Sequence, residues 1–242
     1  MTIPWHKKGT EDTLAALRAT TEGLTDAEVL ARIAKYGSNE LQEARGRSPV
    51  TMLWEQFTQT MVLILIAAAI VSGFLGKATE TAAILAIVVL FAVLGFVQEF
   101  RAERAMAALK KMATPNVRVR RGGETKEVSS RELVPGDIVL LEAGYAIPAD
   151  VRLLESFNLR VQEAALTGES EPVEKETAAL ADADLPLGDR INVAYMGTAA
   201  TYGRGTAVVV ETGMATQIGK IAGMIQNVGH ERRSRGRDGT AR

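Results

Sequence analysis

The tetrapeptide Thr167-Gly168-Glu169-Ser170 is the segment whose residue types best suit chemistry. It sets a carboxylate, which can accept a hydrogen bond or act as a base, beside two hydroxyls. Its glycine allows a turn or a close backbone approach. An ordinary surface turn with Gly168 at a special backbone angle would use the same residues. The choice between a functional loop and a surface turn therefore depends on the elements that position the tetrapeptide.

Composition excludes several classes of site. The chain has 242 residues and no cysteine, so disulfides, thiol catalysis and thiolate metal sites are excluded. Its two histidines, His6 and His230, lie near opposite ends, so no metal site is expected. Lys and Arg number 28 against 29 Asp and Glu, which gives no electrostatic case for nucleic acid as a partner.

Two long runs without charge dominate the first half of the sequence. Residues 56–76 form a run of 21 such residues, and residues 81–98 add 18 more. A helix needs about 20 apolar residues to cross a bilayer. We expect two antiparallel membrane helices within residues 49–112, in contact with lipid and joined by a loop at residues 77–80. The alternative is a buried helical hairpin in a soluble core.

Basic residues flank both apolar runs and indicate their orientation. They are Arg45 and Arg47 before the first run, and Arg101, Arg104, Lys110 and Lys111 after the second. Positive charge favours the cytoplasmic side, so both termini are expected there. Residues 1–13 have no apolar core typical of a cleavable signal peptide. The sequence thus predicts a multi-pass integral membrane protein, in the plasma membrane.

The sequence pattern changes at residue 116 from one typical of helices to one typical of short strands. Residues 117–120 and 125–128 alternate around a Gly-Gly turn and predict a hairpin. Further strands are expected at residues 138–141, 151–154, 191–196 and 206–211. This pattern predicts a small all-β domain, a β-sandwich or distorted jelly roll, over residues 113–215.

Helical segments and an unusual tail flank these two regions. Residues 1–48 are predicted to be helical and cytoplasmic, with a capping box at Thr25 and Glu28. The second membrane helix should continue to Met112 as a stalk, because residues 98–112 are good helix formers. Residues 216–229 predict a last helix. Residues 230–242 are rich in arginine and are expected to be a disordered, non-native tail.

In its ordered set of motifs the chain resembles the P-type ATPases, most closely the type II, Ca²⁺-transporting branch. The matching segments are Gly23-Leu24-Thr25, Tyr36-Gly37-Ser38-Asn39-Glu40-Leu41, Gly95-Phe96-Val97-Gln98-Glu99, Leu133-Val134-Pro135-Gly136-Asp137-Ile138-Val139, Ile147-Pro148-Ala149-Asp150, Leu166 to Ser170 followed by Pro172-Val173-Glu174-Lys175, and Met196-Gly197-Thr198. They occur in the family's order and spacing over roughly residues 5 to 228.

The resemblance implies a role for each residue of the tetrapeptide. The all-β part would be the actuator domain of a cation pump, an enzyme that forms an aspartyl phosphate from ATP and hydrolyses it. Glu169 would orient the attacking water, Gly168 would allow close backbone approach, and Thr167 and Ser170 would hold the loop by hydroxyl hydrogen bonds. ATP and Mg²⁺ would be cofactors of the full-length parent, and none is expected for this chain alone.

The resemblance also marks what the sequence lacks. The Asp-Lys-Thr-Gly-Thr segment that carries the family's phosphorylated aspartate does not occur. We therefore expect an N-terminal fragment that is inactive by itself, from a truncated gene, a frameshift or a deliberately shortened chain. Its partners would be the missing catalytic domains and the transported cation.

Two alternatives to a Ca²⁺ pump remain at this stage. The transported cation could be another one, such as Mn²⁺ or Na⁺, because the membrane helices that supply most ion ligands in the family are absent from the sequence. The chain could instead be a stand-alone, membrane-anchored module that regulates a full-length pump.

Overall fold

The computed structural model describes residues 3–42, 48–112, 115–182 and 184–226. They belong to two compact units, one formed by residues 1–42 together with 114–242, the other by residues 43–113. The predicted basic flank at Arg45 and Arg47 lies outside the described residues. So do the predicted tail and residues 227–229 of the predicted last helix.

The helices and strands have the following bounds. The helices are α1 (Thr10–Leu17), α2 (Asp26–Tyr36), α3 (Pro49–Phe57), α4 (Thr60–Phe74), α5 (Ala78–Met112), α6 (Ala164–Thr167) and α7 (217–226). The strands are β1 (Asn116–Arg121), β2 (Glu124–Ser129), β3 (Ile138–Glu142), β4 (Asp150–Gln162), β5 (Val173–Glu174), β6 (Val193–Ala194) and β7 (Ala199–Glu211).

The described strands form one antiparallel sheet in the order β2-β1-β3-β7-β4-β5, with β6 paired to β4. The predicted hairpin of β1 and β2 is confirmed, in full register from Asn116 opposite Ser129 to Arg121 opposite Glu124. The strand predicted at residues 191–196 is reduced to β6, because only two of its residues pair with β4. The neighbouring segments turn away, at residues 191–192 and 196–197.

Bulges bend the two longest strands, β4 and β7, where they pair with each other. Their register shifts at several points, and Asn158 in β4 has a positive φ of 52°. Gly203 in β7 faces this distortion, and a Cβ there would overlap the Asn158 carbonyl. Such bulges let a sheet curve. The expected β-sandwich or jelly roll is therefore confirmed only in part. The described strands form one continuous, bent sheet, whereas two layers were expected.

The main hydrophobic core lies against one face of this bent sheet. Its buried residues are Val119, Leu133, Val139, Leu141, Ile147, Ala149, Val151, Leu153, Leu159, Val161, Ala194, Ala200, Ala207 and Val209. A second cluster, around Ile138, Val208 and Val210, is packed against Trp5, Leu14 and Leu17 of the N-terminal region. Burial of these side chains against the sheet stabilises the N-terminal region as part of the same unit.

Helix α2 begins as its sequence predicts. Thr25 and Glu28 form the capping box, each side chain accepting from the other residue's backbone N–H. Val29 and Leu24 are buried with Val134, which precedes the Pro-Gly-Asp turn. The N-terminal helices are thereby fixed on the β-rich part of the chain.

The second unit contains α3, α4 and α5. Helix α5 is long and apolar enough to cross a membrane, and it continues to Met112 as expected for a stalk. The first apolar run is not one straight helix, because α3 and α4 meet at 57°. The break follows Thr58, whose hydroxyl bonds the Glu55 carbonyl and ends α3. Among the described helices only α5 has the length and apolar composition to span a membrane as one straight helix, so the predicted hairpin of two spanning helices is not confirmed.

The connection between α4 and α5 is shorter than expected. Helix α5 begins at Ala78, so Ala78, Thr79 and Glu80 belong to its first turn and not to a loop. Glu80 forms an ion pair with Lys77 at 3.2 Å. Its negative charge in the first turn also interacts favourably with the positive end of the helix dipole. Most large apolar side chains of α4 and α5 are exposed in the structure, as a lipid-facing surface would be.

Candidate functional site

The tetrapeptide Thr167–Ser170 lies in the loop between β4 and β5. These strands pair antiparallel, with Arg160 opposite Glu174 and Val161 opposite Val173, so they bring the two ends of the loop together. Residues 163–172 project beyond that pairing, and we call them the 163–172 loop. Its position on the domain is thus set by strand register.

The first half of the loop is the single helical turn α6. The Glu163 carbonyl accepts hydrogen bonds from the amides of Leu166 and Thr167, at 2.9 and 3.0 Å. The Thr167 hydroxyl donates to the same carbonyl at 3.1 Å. Three bonds therefore converge on one backbone oxygen, and Glu163 anchors the whole turn.

The tip of the loop follows α6 and is open to solvent. Gly168 ends the turn with a φ of +79°, a conformation that costs other residues energy. Glu169 and Ser170 are exposed. The Glu169 amide donates to the Thr167 hydroxyl at 3.2 Å, while Ser170 accepts from Gln162 through its carbonyl, not its hydroxyl.

The carboxylate of Glu169 lies on the exposed tip of the loop. Among the residues that the structure describes, none donates a hydrogen bond to it or forms an ion pair with it. Gly168 has open space around the position of a Cβ, so the chain itself does not crowd the tip. The arrangement presents an accessible acceptor on a fixed turn, as a group that positions water must be.

An ion pair is buried at the base of the loop. The Lys175 ammonium lies 2.7 Å from Glu163 Oε1, and the two side chains are 0% and 1% exposed. Burial raises the pKa of the Glu163 carboxyl and lowers that of the Lys175 ammonium, and each partner's charge opposes the other's shift. Sequence reasoning placed Lys175 in a motif but gave neither residue a role.

The signal for this pair was present in the alternation of the strands. Side chains two residues apart point to the same face of a strand. Leu159 and Val161 are buried, and Glu163 continues their face. On the other side of the loop Lys175 follows Val173 by the same interval. Two opposite charges at inward positions are expected to meet, because a lone buried charge is costly.

A neighbouring turn, Leu187–Asp189, lies beside α6. A Cβ on Gly188 would approach the Thr167 methyl to 3.3 Å, so a larger residue there would press on the turn. The Arg190 side chain donates to the Leu185 carbonyl at 2.9 Å and closes this segment on itself.

The aspartate of the Pro-Gly-Asp motif serves the fold and not the loop. The Asp137 carboxylate accepts two hydrogen bonds from the buried Arg121 guanidinium, at 2.8 and 2.7 Å, and one from the Val134 amide at 2.9 Å. This bidentate geometry fixes the turn before β3.

The aspartate of the Pro-Ala-Asp motif joins three segments. The Asp150 carboxylate accepts from the amides of Met196 and Gln217, each at 2.8 Å, and so ties β4 to the start of α7. Burial raises the pKa of Asp150 to about 6. The amide of Asn39 similarly bonds the carbonyls of Ser130 and Pro148.

Arg152, two residues along β4, is the largest fully buried side chain. Its guanidinium donates to the carbonyls of Lys8, Thr177, Asn192 and Leu153, at 2.6 to 3.3 Å. Burial lowers the pKa of Arg152 to about 10, so it stays charged at neutral pH. It holds the N-terminal segment and the long 176–189 connection against the sheet.

A metal site is not built by the part of the chain that the structure describes, since no three His, Asp or Glu side chains cluster there. The tip of the loop offers an exposed carboxylate with hydroxyl neighbours.

Comparison with known proteins gives two family matches. Residues 111–226 match the model of the P-type ATPase actuator domain, and residues 5–72 match that of the cation transporter/ATPase N-terminus. Together these matches cover most of the chain, and both describe parts of the same kind of protein.

Individual relatives agree with these matches. The chain is 47% identical over 226 residues to calcium-transporting ATPase 1 of Bacillus cereus, covering 91% of this chain and 26% of the relative. It is 47% identical over 228 residues to the calcium-transporting ATPase of Bacillus subtilis, covering 94% and 26%. A sodium/potassium exporting P-type ATPase of Schizosaccharomyces pombe is 41% identical over 215 residues, 88% of this chain and 21% of the relative. The chain thus spans about a quarter of the length of these relatives.

Proposed function

The chain belongs to the P-type ATPases, of which it carries the N-terminal region and the actuator domain, and we propose that it serves these roles in an ATP-driven cation pump. The observation that carries the proposal is the 163–172 loop. It presents Glu169, exposed and unpaired among the described residues, on a turn fixed by three hydrogen bonds.

The step assigned to the loop is hydrolysis of the aspartyl phosphate. Glu169 accepts a hydrogen bond from a water molecule and orients its oxygen toward phosphorus. The water oxygen forms a new bond to phosphorus, the bond between phosphorus and the aspartyl carboxylate breaks, and a water proton passes to Glu169. The products are inorganic phosphate and the free aspartate. Thr167 holds the amide of Glu169, and Gly168 supplies the turn.

Other regions of a whole pump would bind ATP and Mg²⁺ and carry the phosphorylated aspartate. The described residues form no cluster suited to a metal ion. Because the 242-residue chain lacks the Asp-Lys-Thr-Gly-Thr segment, it should by itself neither bind ATP tightly nor form a phosphoenzyme. We infer that its helices α3 to α5 lie in the plasma membrane as parts of a multi-pass protein, with both termini cytoplasmic.

Calcium is the cation that we propose for the pump, from the names of the two Bacillus relatives. The Schizosaccharomyces relative, named for sodium and potassium export, supports a monovalent cation as the second candidate. Transport of ⁴⁵Ca²⁺ against ²²Na⁺ into vesicles by an assembled pump separates them.

The test of the loop's role uses an assembled pump. Residues 1–226 of this chain are joined to the remaining regions of the Bacillus subtilis relative, and decay of labelled phosphoenzyme is followed after an unlabelled chase. Glu169→Gln should form phosphoenzyme normally but slow its decay by about 100-fold to 10,000-fold, because an amide is a much poorer base.

Glu171→Gln is the matched control, because Glu171 is an exposed carboxylate of the same loop. Its decay should equal that of the unsubstituted pump. Equal decay for Glu169→Gln as well would remove Glu169 from the mechanism and leave the tip as a surface turn.

A further inference from the structure

The 163–172 loop is connected to the interior of the domain by a continuous path of contacts. It begins at the Lys175 ammonium, 2.7 Å from the Glu163 carboxylate. It continues from the Glu163 carbonyl to the Thr167 hydroxyl, at 3.1 Å, and from that hydroxyl to the Glu169 amide, at 3.2 Å. The buried Lys175 ammonium is therefore three contacts away from the backbone amide of Glu169, the residue with the exposed carboxylate.

Lys175 is itself fixed on the sheet. Its amide donates to the Leu159 carbonyl at 2.8 Å, and its carbonyl accepts from the Ser156 hydroxyl at 2.6 Å. Its ammonium makes no hydrogen bond of good geometry among the described residues, and the same holds for both carboxylate oxygens of Glu163. The side chains of the pair thus satisfy one another alone, and the position of each depends on the other.

Burying such a pair is not a good way to stabilise a fold. The cost of removing two charges from water often exceeds their attraction, and well-packed apolar residues do as well or better. What an ion pair at this position offers is geometry, because it fixes where the Glu163 backbone oxygen lies. Three loop hydrogen bonds then end on that oxygen.

We propose that Glu163 and Lys175 are positioning residues, whose buried ion pair sets the conformation of the 163–172 loop and thereby the placement of Glu169. The mechanical part of this inference concerns the chain as it stands. Its consequence for dephosphorylation rests on the proposed function.

The chain offers a matched control on β4 and β5, the strands that Glu163 and Lys175 directly follow. Arg160 and Glu174 also face each other across β4 and β5, at 3.4 Å, but their side chains are 52% and 57% exposed. An exposed pair of this kind contributes little. Glu174→Gln therefore removes a charge one residue from Lys175 without touching the buried pair.

The first measurement is amide hydrogen exchange on the full chain in detergent. In Glu163→Gln the amides of Leu166, Thr167 and Glu169 should exchange at least about tenfold faster, because their turn is no longer held. Amides of the β4–β7 pairing should keep their protection. In Glu174→Gln all of these rates should stay within about twofold of those of the unsubstituted chain.

A merely structural pair would give a different pattern. Loss of stability would raise exchange throughout the sheet, and the loop would change no more than β7. Unchanged loop exchange in Glu163→Gln, or uniform acceleration, overturns the proposal.

The apolar double variant Glu163→Leu/Lys175→Met keeps the test decisive if the single variant does not fold. It restores burial without charges. A folded double variant with fast loop exchange supports positioning by the ion pair, and one with fully protected loop amides overturns it.

The second measurement is phosphoenzyme decay in the assembled pump. Glu163→Gln should slow decay, and the combined Glu163→Gln/Glu169→Gln variant should decay no more slowly than Glu169→Gln alone, because Glu163 acts through Glu169. Additive slowing contradicts the path through the loop. If Glu169→Gln has no effect while loop exchange still changes in Glu163→Gln, the proposed function fails and the positioning role survives.

Discussion

The two ends of β4 use buried polar groups in opposite ways. At its start, Asp150 and Arg152 bond backbone amides and carbonyls of four other segments. Just beyond its end, Glu163 pairs only with Lys175 among the described residues, and the chain then continues into the exposed tip of the loop.

This difference separates the start of β4, which stabilises the fold, from its end, which positions the candidate site. The Asp150 carboxylate and the two terminal nitrogens of Arg152 are engaged in joining segments, so a ligand would have to displace protein contacts. At the other end the buried charges hold only a loop, and the carboxylate that the loop exposes is left for an external partner. Changes at the start should therefore affect folding, whereas changes at the tip should affect chemistry alone.

The largest effect is expected for Arg152→Met. The substitution removes the guanidinium donor from four backbone carbonyls, of which that of Asn192 keeps another donor, the Leu153 amide, so the free energy of unfolding should fall by on the order of 3–5 kcal/mol. Urea unfolding followed by Trp5 fluorescence, in a Trp54→Phe background, measures it. Arg160→Met on the exposed part of β4 is the control and should cost less than about 1 kcal/mol. Similar losses for the two would erase the contrast.

A pH-dependent effect is expected at Asp150. Burial raises its pKa from the ordinary 3.8 to about 6 in the folded protein. The folded state therefore binds this proton more tightly than the unfolded state does. Protonation of Asp150 stabilises the fold increasingly as pH falls through 6, and this stabilisation is lost as pH rises.

The measurement compares the unsubstituted chain with Asp150→Asn, which does not titrate. As pH falls from 7 to 5, the free energy of unfolding of the unsubstituted chain should rise relative to that of Asp150→Asn by on the order of 1 kcal/mol. A difference that is constant across this range contradicts the raised pKa of the Asp150 carboxyl.

The smallest effect on folding is expected at the tip. Glu169→Gln and Ser170→Ala alter exposed side chains and should change the free energy of unfolding by less than about 0.5 kcal/mol. The same urea experiment checks this. A loss comparable to that of Arg152→Met would mean that the tip, like the start of β4, is part of the structural framework.

Local patterns were sufficient to predict much of this architecture. The β1–β2 hairpin follows from alternation around Gly122-Gly123, and the start of α2 follows from Thr25 and Glu28. Both depend on neighbours in sequence, which is why they could be predicted. The tetrapeptide at residues 167–170 was also recognised, because its residue types are unusual together.

Features that depend on contacts distant in sequence could not be predicted in the same way. The bend between α3 and α4 was missed because hydropathy alone does not reveal that the Thr58 hydroxyl donates to the Glu55 carbonyl at the end of α3. Alternation places Glu163 and Lys175 at inward positions, but which inward charges meet depends on the register of β4 and β5, which only the folded sheet supplies. The four acceptors of Arg152 come from segments up to 144 residues away.

The discontinuous composition of the first unit has a consequence for synthesis of the chain. Residues 3–42 leave the ribosome first, yet their partners, such as the Arg152 guanidinium that binds the Lys8 carbonyl, are made only after α3 to α5. The N-terminal segment must remain without these tertiary contacts while about 70 apolar-rich residues are synthesised. Completion of this domain is therefore a late event of high contact order, and a ribosome that stalls before β7 would release an N-terminal region with its apolar face uncovered.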